Sequence, residues 1–214
     1  MARPKEFDPH AALTVAMETF RRRGYEGTSV QDLVDALGIN RSSMYAAFGS
    51  KHDLYLKALE RYSADEKAKA ENDLAGDGPA LPALRAFLLS YVDAALTDPE
   101  RSGCLVTHGV MERVPCDPEA TARLRAALRG MEDAYAALLL RARANGELAP
   151  GTDVKSVARF LVTFTQGLRV MEKAADREYL IEAVDQALSV FRGKSADAAD
   201  DGGDGATPDE RGNG

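Results

Sequence analysis

Apolar residues recur along the chain at the three- and four-residue spacing of α-helices. Leu13, Ala16, Met17 and Phe20 fall at i, i+3, i+4 and i+7, and Val30, Leu33, Val34 and Leu37 repeat the pattern. Each set therefore shares one helical face. The same period predicts long helices near residues 51–73, 81–96, 118–144, 153–174 and 178–192, and a shorter one over 103–113. No segment alternates apolar and polar residues between turn signals as a strand would. The pattern predicts an all-α fold.

The punctuation agrees. Asp8-Pro9, Asp98-Pro99 and Asp117-Pro118 each set a capping carboxylate before a proline suited to a first helical position. Ser29 with Asp32, and Ser50 with Asp53, have the spacing of a capping box. Gly24, Gly38 and Gly49 stand where helices would close in the left-handed conformation. Gly76-Asp77-Gly78-Pro79 and residues 145–152 read as loops.

Composition narrows the function classes. The apolar runs fall short of the ~20 residues of a membrane span, and no basic start leads into an apolar run and a cleavage site. The expected compartment is the cytosol, with no membrane partner. Two cysteines and three histidines argue against a disulfide framework or a structural zinc, so neither metal nor cofactor is expected. A net charge of −7 opposes nucleic-acid binding only if it is spread evenly. It is not: residues 195–214 hold six acids against Arg211 alone. That tail has no apolar residue larger than alanine, and it reads as a disordered acidic extension.

The predicted second and third helices, about 29–37 and 40–47, are separated only by Gly38-Ile39. A turn this tight fits a helix-turn-helix, whose second helix enters the DNA major groove. On that helix Ile39, Met44 and Phe48 would face the core and leave Arg41, Ser42, Ser43 and Tyr45 outside. Arginine can grip guanine O6 and N7, and small hydroxyls adapt to several bases. Asp and Glu are absent from Gly38 to His52, where Arg41 and Lys51 are present, a local balance that suits phosphates.

Residues 20–28, FRRRGYEGT, and then VQDLVDALGINRSSMYAAFGSKHDLY resemble the DNA-binding domain of the TetR family of repressors. The specific resemblance covers roughly residues 7–60. It implies that Thr28, Tyr45 and Lys51 bind phosphates, and that Asn40, Arg41, Ser42 and Ser43 lie nearest the base edges. Asn40 can also cap its helix. The Arg21-Arg22-Arg23 run is expected to complement a helix C-terminus, and Arg3 and Lys5 could enter a flanking minor groove.

The expected organisation is a helix-turn-helix domain over 1–50, a helical effector-binding and dimerisation domain over 51–194, and the tail over 195–214. The resemblance implies a ligand cavity and a two-fold interface in the second unit. Stripes at Val157, Leu161, Phe164 and Leu168, and at Ile181, Val184, Leu188 and Phe191, could pair as a four-helix bundle. Phe164, Gly167, Leu168, Val184, Leu188 and Phe191 are thus interface candidates. Tyr91, Cys104, His108, Met111, Tyr135 and Gln166 put polar or polarisable atoms on apolar faces and are the pocket candidates. Gly103-Cys104-Leu105 also resembles a branch of the family in which a cysteine senses electrophiles or oxidants, and His108 would share its helix face.

The sequence is thus identified as a non-enzymatic, dimeric repressor of double-stranded operator DNA, released by a small-molecule effector. A Cys104 thiol sensor is one alternative. A helical interaction module without DNA binding is another.

Overall fold

The computed structural model describes residues 8–98, 100 and 102–192. Arg3, Lys5 and the 195–214 tail lie outside them. Among the described residues the regular structure is all helical, apart from one isolated antiparallel bridge between Leu148 and Arg192. Four helices form the first part: α1 (Pro9–Arg23), α2 (Val30–Leu37), α3 (Arg41–Phe48) and α4 (Lys51–Asp73). Five follow: α5 (Ala80–Thr97), α6 (Leu105–Glu112), α7 (Pro118–Ala144), α8 (Val154–Met171) and α9 (Arg177–Ser189).

Local chemistry sets the ends. Asp8 accepts from the His10 N–H, and Asp117 accepts from that of Ala120. Ser29 with Asp32 and Ser50 with Asp53 form reciprocal capping boxes at the starts of α2 and α4, each worth about 1 kcal/mol. Gly38 closes α2 in the left-handed conformation, at φ 64° and ψ 26°, which explains how α3 can begin so soon after. Gly24 and Gly49 share only the positive φ, their ψ angles of 179° and −126° lying outside that region. Asp98 does not open a helix: it is the C-cap of α5, and its carboxylate accepts the N–H of Glu100 and of Ser102 in the segment that follows.

Two apolar cores result. Phe20, Leu33, Met44, Phe48, Leu54, Tyr55 and Leu59 fill the first, joined by Leu105 of α6 and Leu124 of α7. The second joins the end of α4 to α5, α7, α8 and α9 through Leu84, Phe87, Leu88, Leu138, Leu161 and Leu188. Helix α4 belongs to both, with Leu54 to Tyr62 in one and Ala70 in the other. It is a rigid element that spans the junction. By length and composition α5 could cross a bilayer, but Leu81, Leu84, Phe87, Leu88 and Val92 are buried in the second core, which accounts for its apolar character.

The two apolar stripes expected to form an interface belong to this core. Leu168 is 3% exposed, Val184 and Leu188 are 0%, and Phe191 is 5%. The strongest helical period marks the face turned toward the chain's own core, and these four are spent there. Phe164 is only partly buried, and Gly167 is exposed, with nothing within 4 Å of where its Cβ would stand.

Candidate nucleic-acid interface and the adjoining cleft

Helix α3 sits on α2 and α4 through Met44 and Phe48, which are 0% and 5% exposed. Its other face is open. Arg41, Ser42 and Tyr45 are exposed and Ser43 is half-buried. Arg41 makes no hydrogen bond or ion pair to any described residue, leaving its guanidinium fork available for a bidentate contact. Asn40 is the N-cap: its Oδ1 accepts from the Ser43 N–H at 2.8 Å and from the Ser42 hydroxyl at 2.6 Å. It therefore organises the start of α3 and sets the rotamer of Ser42.

Thr28 has a different role from the expected phosphate contact. It is 0% exposed, and its hydroxyl donates to the Gly24 carbonyl at 2.7 Å. Its backbone N–H donates to Tyr25 at 3.3 Å, so it locks the α1–α2 turn from inside. Lys51, at the first position of α4, lies with its Nζ 4.0 Å from the centre of the Tyr25 ring. Partial burial lowers its pKa, and the ring face holds the ammonium near the end of α3. The three arginines at the end of α1 are all paired with acids. Arg21 meets Glu18 and Asp98, Arg22 meets Glu100, and Arg23 meets Asp32.

A second feature went unread in the sequence. The α1–α2 turn is held from α6, whose last residue Glu112 accepts the Tyr25 N–H at 2.6 Å and the Glu26 N–H at 3.3 Å. Beside it, Arg113 donates to Glu26 at 2.5 Å and to Asp117 at 3.0 Å. Its guanidinium carbon is 4.2 Å from the centre of the Tyr25 ring. Asp117 also meets His52 of α4 at 2.8 Å. Burial alone would raise the Asp117 pKa, but the Ala120 N–H, His52 and Arg113 outweigh it and hold the value at about 2.

The opposite end of α6 borders a cleft of about 500 Å³ between α1, α4, α5 and α8. Its floor is Arg169, 8% exposed. Arg169 donates to the Tyr62 hydroxyl at 3.0 Å and to the Gly103 carbonyl at 3.2 Å, and its guanidinium lies 4.5 Å from the centre of the Tyr91 ring. Arg21 of α1 donates to the same Gly103 carbonyl at 3.2 Å.

Of the expected pocket residues, only Tyr91 lines this cleft. Cys104 and Gln166 line a separate void of about 30 Å³. Tyr135 is 0% exposed, its hydroxyl 2.7 Å from that of Thr165, and is a core residue. Met111 is 65% exposed and lines neither cavity. His108 lies 3.1 Å from the Lys173 ammonium, and burial, followed by that positive charge, lowers its pKa.

An exposed recognition helix, a clamped turn and an adjoining cleft define a helix-turn-helix DNA-binding regulator. Residues 12–58 match the family model of bacterial regulatory proteins of the tetR family, and residues 80–188 match the tetracyclin repressor-like C-terminal domain. The HTH-type transcriptional regulator YezE of Bacillus subtilis (strain 168) is 39% identical over 194 residues, covering 89% of this chain and 100% of YezE. The HTH-type transcriptional repressor ComR of Escherichia coli (strain K12) is 29% identical over 191 residues, covering 88% and 91%. A solved structure of the TetR family regulator CifR, a cysteine mutant complexed with 26 bp double-strand operator DNA, superposes with a TM-score of 0.79 at 32% identity. It covers 89% of this chain and 100% of that one. This chain belongs to the TetR family of DNA-binding transcriptional regulators.

Proposed function

We propose that the protein is a homodimeric repressor that grips a near-palindromic operator through α3 and lets go when a small molecule enters the cleft. The reading rests chiefly on the Gly103 carbonyl, which accepts from Arg21 of α1 and from Arg169 of α8. One wall of the cleft is thereby part of the DNA-binding unit. Arg41, Ser42 and Ser43 reach base edges, and Asn40 orders them. Tyr45 and Lys51 hold phosphates, while Thr28 fixes the turn that presents Lys51.

Release follows from geometry rather than from blocking α3. Helix α6 has eight residues, a rod about 12 Å long at 1.5 Å per residue. It starts beside the cleft and ends on the Tyr25 turn. A ligand that displaces the Gly103 end moves α6 against that turn and tilts α4, changing the spacing of the two recognition helices. A 100-fold release requires about 2.7 kcal/mol of coupling.

The geometry favours this reversible reading over a Cys104 sensor. Cys104 is 5% exposed beside a void of about 30 Å³, about one water's share of liquid volume. The lowered pKa of His108 leaves it a poor source of the imidazolium that would activate a thiol. Titrating operator complexes of wild type, Cys104→Ser and Cys116→Ser with a quinone tests the choice. Equal responses fit the reversible cleft, whereas constitutive repression by Cys104→Ser alone would restore the thiol reading.

A further inference from the structure

The cleft volume of about 500 Å³ lies in the range of pockets that hold small organic molecules. Each of its cationic groups is already paired with a carboxylate. Arg21 pairs with Glu18 at 2.8 Å and Asp98 at 3.4 Å. Arg169 stands 3.5 Å from both Glu66 and Glu172. Lys69 pairs with Asp73, and Asp65 with Arg61 at 3.0 Å. These pairs set six carboxylates against four cations, so an anionic ligand finds no free cation and must break a pair to bind.

Two buried polar atoms at the floor are not matched. The Tyr91 hydroxyl, on a residue 3% exposed, and the Nε of Arg169, on a residue 8% exposed, lack a hydrogen-bond partner. The Tyr91 hydroxyl faces the Glu66 carboxylate without reaching hydrogen-bonding geometry. Burial and then that carboxylate raise its pKa, so it keeps its proton. The Arg169 Nε meets Glu172 only as an ion pair at 3.5 Å. Both atoms are donors, and both residues border the same volume. Buried donors are nearly always satisfied, so an orphan pair on a cavity wall calls for an acceptor from outside the chain. The rest of the wall, Met17, Ala94, Ala95 and the Tyr62 ring, offers apolar contact.

We propose that the cleft takes an uncharged, apolar-bodied molecule whose carbonyl oxygen accepts from the Tyr91 hydroxyl and the Arg169 Nε. This rests on the cleft being the effector site. Four probes of matched size separate the possibilities: acetophenone, ethylbenzene, benzoate and benzylamine, titrated into the full chain by ligand-observed NMR. Acetophenone binds about tenfold more tightly than ethylbenzene, the scale of one hydrogen bond. Both charged probes bind more weakly than acetophenone, benzoate because every cation is already paired and benzylamine because an ammonium offers the two donors no acceptor. Tyr91→Phe reduces acetophenone to the level of ethylbenzene. It leaves the melting temperature unchanged or raised, because an unsatisfied buried hydroxyl has been removed.

The class is overturned if benzoate or benzylamine binds at least as tightly as acetophenone, if Tyr91→Phe leaves acetophenone binding intact, or if none of the four binds. Ala94→Trp, which fills the cleft, separates this from failure of the effector reading. A charged probe that releases operator from wild type but not from Ala94→Trp removes only the ligand class. A probe that releases operator equally from both removes the cleft as the effector site.

Discussion

The carboxylate of Glu112 accepts the backbone N–H of Tyr25 at 2.6 Å, tying the end of α6 to the turn that precedes the helix-turn-helix. The fit is close, since a Cβ at Gly24 would run into that carboxylate. Glu112→Ala leaves the Tyr25 and Glu26 amides without their acceptor and costs about 1–3 kcal/mol. Hydrogen exchange should speed up at those two amides, while those of α7 and α8 keep their protection. Unchanged protection at Tyr25 would show that α6 does not hold the turn.

Asp117 gives the same junction a dependence on acidity. Its folded pKa of about 2 lies below the unfolded value of about 3.9. A depressed carboxylate contributes stability that is complete above the unfolded pKa and is lost as pH falls through the folded one. Unfolding free energy should therefore drop between about pH 4 and pH 2. Asp117→Asn should be less stable at pH 7 and should drop less steeply across that window. Asp98, also held at about 2, keeps part of the slope. Parallel curves for variant and wild type would contradict the assignment.

Base reading and phosphate clamping should separate by mutation. Arg41→Ala is expected to relax preference at one operator position, at a cost of about 1–3 kcal/mol there. Lys51→Ala should weaken all sequences alike and flatten the dependence of log affinity on log salt by about one unit. Binding measured across single-base operator variants and salt concentrations distinguishes them. Uniform loss for both would make Arg41 a phosphate contact.

Dimerisation should use the outward side of α8 and α9. Phe160, Val170, Tyr179 and Val190 are 44%, 45%, 54% and 72% exposed, and Phe160 stacks on Phe164 with centroids 6.0 Å apart. Gly167 lies between them on an open face, where a partner helix can approach closely. Phe160→Glu should give a monomer by light scattering and reduce operator affinity at least tenfold. Leu188→Glu, which acts on the chain's own core, should instead lower the melting temperature. A dimeric Phe160→Glu variant would place the interface elsewhere.

Helix positions were legible because period and capping act over a few residues. Ser29 with Asp32 and Ser50 with Asp53 specify their helix starts without any distant partner. Asp98-Pro99 shows the limit. An Asp-Pro pair suits a helix start, but here the carboxylate satisfies two loop amides. The exposed face of α3 could be read for the same local reason, since Met44 and Phe48 fix which way it turns. Thr28 could not, because its burial depends on the return of the chain at Gly24. The cleft depends on contacts between residues far apart in sequence, such as Arg169 with Tyr62. One signal was available: Arg169 and Glu172 fall on the inward stripe with Leu161, Thr165 and Leu168, and charged residues on a buried face mark a site worth testing. Four of the six interface candidates, Leu168, Val184, Leu188 and Phe191, are buried in the chain's own core, because α8 carries two apolar stripes and the stronger one faces inward.

Two copies of α3 are expected to read one two-fold-related operator. Selection from random duplexes followed by hydroxyl-radical footprinting tests it most directly. A near-palindrome is expected, with protected half-sites about one helical turn apart, roughly 34–36 Å, and affinity falling steeply with salt. A single asymmetric half-site, or duplex binding without sequence preference, would contradict it.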